Sequence, residues 1–229
     1  MTRLTKLFAP AGLILAVAAA LPAQAQVQGS IATVDIPRTI IGTTAFQTAY
    51  EQVNTTYAQQ NELRRTKAQE RQTMLAKFDK NGDKQVDDAE QAAMQKSPDF
   101  AKLQTLEQEI NGLNNQIDGA RVFAVEQIIV QYPSALQDVT TKDQIKFVID
   151  PSTLLFAPPE ADITAKVTAA LNVRVPAVGV VPPSGWQPSR EGVQVYQEIQ
   201  QRLIAATIAQ QQQQAAAAQQ GNPAAPTGR

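Results

Sequence analysis

Cysteine and histidine are both absent from this 229-residue chain. Without thiols there can be no disulfide and no thiolate metal site. Without imidazole the commonest general base is missing, and with it every Ser–His or Cys–His nucleophile pair. No G-x-S-x-G, P-loop or dinucleotide fingerprint occurs either. Ser–Lys or paired-carboxylate chemistry survives these exclusions, but no spacing points to it, and the chain reads as a non-enzyme. Aromatic residues are scarce at 5%. A single globular core in a chain of this length needs more large side chains than that, so long helices with a narrow apolar seam suit the composition better.

Long apolar runs are also missing except at the N-terminus. There, Arg3 and Lys6 precede an apolar stretch from Ala11 to Leu21, and Ala23 and Ala25 supply a small-residue cleavage pattern. The stretch is short of the ~20 residues that span a bilayer. Residues 1–25 are therefore expected to be a cleavable signal peptide, and the mature chain to be exported. Its removal leaves 18 of the 20 basic side chains against all 21 acidic ones, a net charge of −3. That balance argues against a nucleic-acid partner.

What is present is mostly helical signal. Residues 30–36, SIATVDI, read as a short strand stopped by Pro37. Phe46, Tyr50, Val53 and Tyr57 then recur at heptad spacing, and the same seam continues as Gln60, Arg64, Lys67 and Arg71 before Met74 and Phe78. Ser97, Pro98 and Asp99 form a helix-start signal. Behind it Leu103, Leu106, Ile110, Leu113, Ile117, Ala120 and Ala124 follow at strict 3,4 spacing, and this helix is expected to end at Tyr132-Pro133. The two helices predict an antiparallel, coiled-coil-like hairpin over 38–132 with arms about 50–60 Å long and a tip at 79–98. Residues 145–150, IKFVID, read as a second strand, followed by a short helix capped by Asp162 or Thr164. The fold class is thus α+β, mainly α: a long hairpin arm on a small β-sheet body. Two strands are barely stable alone, which predicts that copies of the chain complete the sheet.

Residues 173–189 are Pro- and Gly-rich and read as a linker with one aromatic anchor, Trp186. Residues 190–218 read as a further helix, and 219–229 as a low-complexity, disordered tail.

The tip contains FDKNGDKQVDDAEQ, which fits a twelve-residue EF-hand loop. Asp79, Asn81 and Asp83 fall at positions 1, 3 and 5, Gln85 offers its carbonyl at position 7, Asp87 is at 9 and Glu90 at 12. Oxygen donors of this kind favour calcium. Position 6 is Lys84 instead of glycine, which puts a side chain at a sharp turn and a cation beside the ion. Calcium is the expected cofactor if the loop is filled, with an affinity toward ~10⁻⁴–10⁻³ M. The competing reading is a solvated acidic turn with Asp87 or Asp88 as an N-cap.

In order and spacing, the chain resembles the periplasmic Skp (OmpH-like) chaperones. The resemblance lies in the export signal, IATVDIPRTIIGTTAFQTAYEQV, the hairpin, and IKFVIDPSTLLFAPPEADITAKVTAALN, and it spans about residues 31–172. It implies a homotrimer whose hairpins enclose a cavity. It also implies ATP-independent binding of unfolded outer-membrane β-barrel proteins in the periplasm; the residues that contact the client are left unassigned. Members of that family are basic at the arm tips, whereas this mature chain is acidic and its tip carries Asp79, Asp83, Asp87, Asp88 and Glu90, which leaves membrane contact open. The alternative reading is a calcium-responsive coiled-coil scaffold of the envelope that binds folded partners or the cell wall.

Overall fold

The computed structural model of the chain describes residues 31–83 and 85–220. The expected signal peptide, Ser30, Lys84 and residues 221–229 of the expected disordered tail lie outside the described residues. Two short strands form the base: β1 (Ile31–Thr33) and β2 (Phe147–Ile149) pair in parallel, Ile31 opposite Phe147 and Thr33 opposite Ile149. Parallel neighbours need a long crossover, and here the whole arm is that crossover.

Both strands are shorter than the expected 30–36 and 145–150, for local reasons. Asp35 leaves the strand and caps a helix, its carboxylate accepting the Arg38 amide at 3.0 Å. Pro37, read as a strand stop, sits in the first turn of α1 (Ile36–Ile41), where its missing N–H costs nothing. At the other strand, Gln144 adopts a left-handed φ of 54° before β2, and Asp150 ends it by accepting the Ser152 amide at 2.8 Å.

The outgoing arm is α2 (Thr44–Thr56) followed by α3 (Ala58–Leu75), with a slight break at Tyr57. The returning arm is α5 (Phe100–Ile129), 30 residues and so about 45 Å long. Between them the tip holds a short helix, α4 (Asp88–Gln95). The returning helix stops at Ile129 and a separate α6 (Tyr132–Lys142) begins at once, with Pro133 in its first turn. The proline expected to end a helix therefore starts one. β2 then leads through two 3₁₀ turns to α7 (Thr164–Arg174), whose first amide is capped by Asp162 at 2.9 Å. α7 takes in Val173 and Arg174 from the expected linker, and α8 (Arg190–Gln220) runs into the start of the expected tail. No helix among the described residues is long and apolar enough to cross a membrane.

Three apolar clusters hold this shape. The body core gathers Ala32, Val34, Ile40, Ile128, Ile163, Leu171 and Ile199 from the strands, α1, α5, α7 and α8. A second cluster at the arm root joins Ala49, Val53 and Tyr57 of the outgoing arm to Ile117, Ala120 and Ala124 of α5. A third, near the tip, joins Met74 to Leu103 and Leu106, with Phe78 and Met94 alongside.

Candidate functional site: the arm, its tip and the groove at its root

Between the second and third clusters the arm has no apolar seam on its outgoing side. Over its 18 residues α3 buries only Met74. The seam positions Lys67 and Arg71 face acids on α5: Lys67 meets Glu109 at 2.6 Å and Arg71 meets Glu107 at 3.6 Å. Lys102 reaches back to Glu70 at 2.6 Å, which raises the Lys102 pKa and lowers that of Glu70, and Arg64 donates to Asn114 at 3.3 Å. The basic residues clustered on the first helix are thus largely answered across the arm. Exposed ion pairs of this type are screened by solvent and add little to stability, so the middle of the arm is held weakly. Leu113 and Ile110 of α5 and Leu63 of α3 remain partly accessible there, Leu63 at 46%.

At the tip, Asp87 is the N-cap of α4 and forms a capping box with Glu90. Glu90 is almost fully buried, and its two oxygens accept the amides of Lys80 (2.8 Å) and Asp87 (3.2 Å), closing the loop on itself. Asp79 accepts the Gly82 amide at 2.7 Å, Asn81 the Asp83 amide at 3.0 Å, and Asp83 the Gln85 amide at 2.7 Å. Gly82 has φ of 78°, a conformation glycine adopts without strain. The donors are all oxygens, as a hard cation requires, but they are turned onto backbone amides. Among the described residues no three acidic side chains stand close enough together to hold a metal ion.

The expected linker is docked along the arm root. Gln127 of α5 donates to the Gly179 carbonyl at 2.9 Å and accepts the Gly179 amide at 3.0 Å. The Tyr57 hydroxyl donates to the Val180 carbonyl at 3.3 Å, and the Val180 side chain is buried in the root cluster. Trp186 stacks edge-on against Phe123 (5.4 Å between centroids) and donates to Glu126 at 3.1 Å. Glu126 also accepts the Ser189 amide and lies so close to Gly192 that an added Cβ there would clash with its side chain.

α8 is then latched to both arm helices by a polar network. Tyr196 donates to Asp118 at 2.6 Å, Arg121 donates to the same carboxylate at 3.1 Å and lies over the Tyr50 ring, and Gln200 donates to the Tyr50 hydroxyl at 2.6 Å. Burial pushes the Tyr50 phenol up to about 12, and burial together with Asp118 raises that of Tyr196, so both hydroxyls stay protonated at neutral pH. Arg202 completes the latch on Asp35 at 2.8 Å. The docked strap and this network were not legible in the sequence beyond the aromatic anchor at Trp186, because contacts between Gln127 and Gly179 leave no periodic trace.

At the base, apolar side chains are left in water. Ile31 and Phe147 of the paired strands are 49% and 63% exposed, and Leu155 and Phe156 in the turn after β2 are almost wholly so.

The model of the outer membrane protein (OmpH-like) family matches residues 30–171. A solved structure of a candidate outer membrane chaperone (OmpH-like) from Caulobacter crescentus aligns over 69% of this chain and 93% of its own, at 15% identity and a TM-score of 0.43. No curated protein matches.

Proposed function

The chain belongs to the OmpH-like family of outer membrane proteins, and on that premise we propose that it is a periplasmic holdase that keeps unfolded outer-membrane β-barrel proteins soluble without ATP. The observation that supports this most is the middle of the arm. A holdase needs a long surface with scattered apolar contacts, weakly braced, and no enclosed pocket. Leu63, Ile110 and Leu113, set among exposed ion pairs between two apolar clusters, supply that surface. The proposed activity is binding without bond-making chemistry, that of a non-enzyme.

A homotrimer is part of the proposal. β1 and β2 are only three residues each, and Ile31, Phe147, Leu155 and Phe156 are exposed large apolar side chains of the kind that mark an assembly contact. Phe156→Asp is expected to turn a trimer into monomers in size-exclusion chromatography with light scattering.

Calcium at the tip is the third part. Asp79, Asn81, Asp83, the Gln85 carbonyl, Asp87 and Glu90 would hold it, and its chemistry there would be to join the ends of the two arms. Binding would draw Glu90 from the amides it now satisfies, so the expected affinity is modest. Isothermal titration against a Glu90→Gln control tests it.

For the holdase itself, a urea-unfolded outer-membrane β-barrel protein is diluted into buffer with the mature chain, with EDTA or with millimolar calcium. Suppressed light scattering near one trimer per client is expected. Scattering equal to that in buffer alone under both conditions overturns the reading and favours a scaffold.

A further inference from the structure

The family match stops at residue 171, and the chain continues. Residues 175–203 pass over the arm root, and what they grip there is specific. The outgoing arm is broken at Tyr57, whose φ of −105° and ψ of 25° depart from helical values and separate α2 from α3. Across from it, α5 carries Gly119 just before Ala120, which shares the root cluster with Tyr57. Packing does not require that glycine: an added Cβ would lie 3.9 Å from the Trp186 ring, an ordinary contact, and its φ is not positive. Glycine weakens a helix interior. Both arm helices therefore have a weak point at the same level. Gly112, the other glycine of α5, faces an unbroken stretch of α3, to which the neighbouring Asn114 is bonded through Arg64.

Each weak point is held by residues beyond 171. The Tyr57 hydroxyl donates to the Val180 carbonyl at 3.3 Å, and the Val180 side chain is buried in the cluster of Tyr57, Ile117 and Ala120. Beside Gly119, Tyr196 donates to Asp118 at 2.6 Å, and the Trp186 ring covers the glycine itself. The same segment is rooted in the body. Val175, Val195 and Ile199 belong to the body core, and Arg202 pairs with Asp35, the N-cap of α1, at 2.8 Å.

We propose that the arm pivots at the level of Tyr57 and Gly119, and that residues 175–203 are a clamp that holds this pivot at one angle to the body. Polar contacts suit the task. Apolar burial is non-directional and tolerates sliding, whereas the hydrogen bonds at Asp118, Tyr57 and Tyr50 fix an orientation. Leverage makes the angle matter. From Gly119 out to Phe100, α5 runs about 28 Å, so a small rotation at the pivot swings the tip widely.

The chain is free of cysteine, so spin labels can be placed at will. Gln104→Cys marks the exposed side of α5 beyond the pivot, and Lys142→Cys marks the end of α6 in the body. Labelled chain is diluted into excess unlabelled chain, and pulsed EPR then reads the distance within one copy. A single sharp distance is expected. Trp186→Ala combined with Tyr196→Phe should spread and shift it while circular dichroism shows unchanged helix content. Adding Gly119→Ala to that pair should sharpen the distance again, because alanine stiffens the pivot; a general loss of folding would not be rescued this way. A spread distribution in the parent, an unchanged one in the paired variant, or no sharpening by Gly119→Ala contradicts the clamp. No client takes part in the measurement, so the clamp is tested apart from the holdase reading.

Discussion

The root and the middle of the arm are built from the same two helices in opposite ways. At the root, Val53, Ile117, Ala120 and Ala124 are buried at or near 0% exposure, and the strap seals them from a third side. One stretch farther out, lysine and arginine occupy the seam of the outgoing helix and meet glutamates instead of leucines. The apolar seam on α5 continues past that point, but its partner does not. A seam with one polar wall still directs the helices together, yet it leaves apolar surface within reach of another chain. The difference teaches that the arm is fixed at its two ends and loose between them.

The largest effect expected from breaking this comparison is at the root. Ile117→Ala should cost about 2–5 kcal/mol in urea denaturation, because the cavity lies in fully packed surroundings. At the tip, Glu90→Ala strips two backbone amides of their acceptor and removes the capping box, at about 1–3 kcal/mol. That loss should appear as faster amide exchange over 79–95 more than as a lower global Tm. In the middle, Lys67→Met should change stability by only about 0.2–1 kcal/mol, and added salt should shrink even that difference. Equal costs at root and middle would erase the distinction.

The smallest effect concerns acid. Hydrogen bonds from Ser152 hold the Asp150 carboxyl below its usual 3.8. A depressed carboxylate contributes stability that is complete above pH 3.8 and is lost as pH falls through the folded value. Asp150→Asn should therefore lower Tm slightly at pH 7, with the difference from the parent chain vanishing as pH falls below the folded value of Asp150, as read from Tm against pH.

Much of the arm was legible because helical periodicity is a local signal. The 3,4 spacing from Leu103 to Ala124 and the polar turn of the seam at Gln60 to Arg71 both survive as geometry, and the N-cap of α4 is Asp87, one of the two the sequence offers. The prolines at both ends of the arm are ambiguous in the sequence. Pro37 and Pro133 can stop one element or start the next, and only the neighbouring cap decides: Asp35 provides it in one case, and a fresh turn at Tyr132 provides it in the other. The strap reads as a linker in the sequence because proline and glycine mark irregular backbone without saying whether it is free or docked. Gln127, Tyr57 and Glu126, which dock it, are ordinary helix residues in sequence. The acidic character of the tip is legible in the sequence, while the alignment of its carboxylates on backbone amides is not.

The central claim is that the arm is pinned at root and tip and yields in the middle, the surface proposed to hold clients. Hydrogen exchange on the assembled chain, with and without an unfolded β-barrel protein, tests it most directly. The account predicts weak protection over 60–71 and 107–114 against strong protection over 49–57 and 117–125, with the middle gaining protection when client is added. A middle as protected as the root in the empty chain, or one that client leaves unchanged, would contradict it.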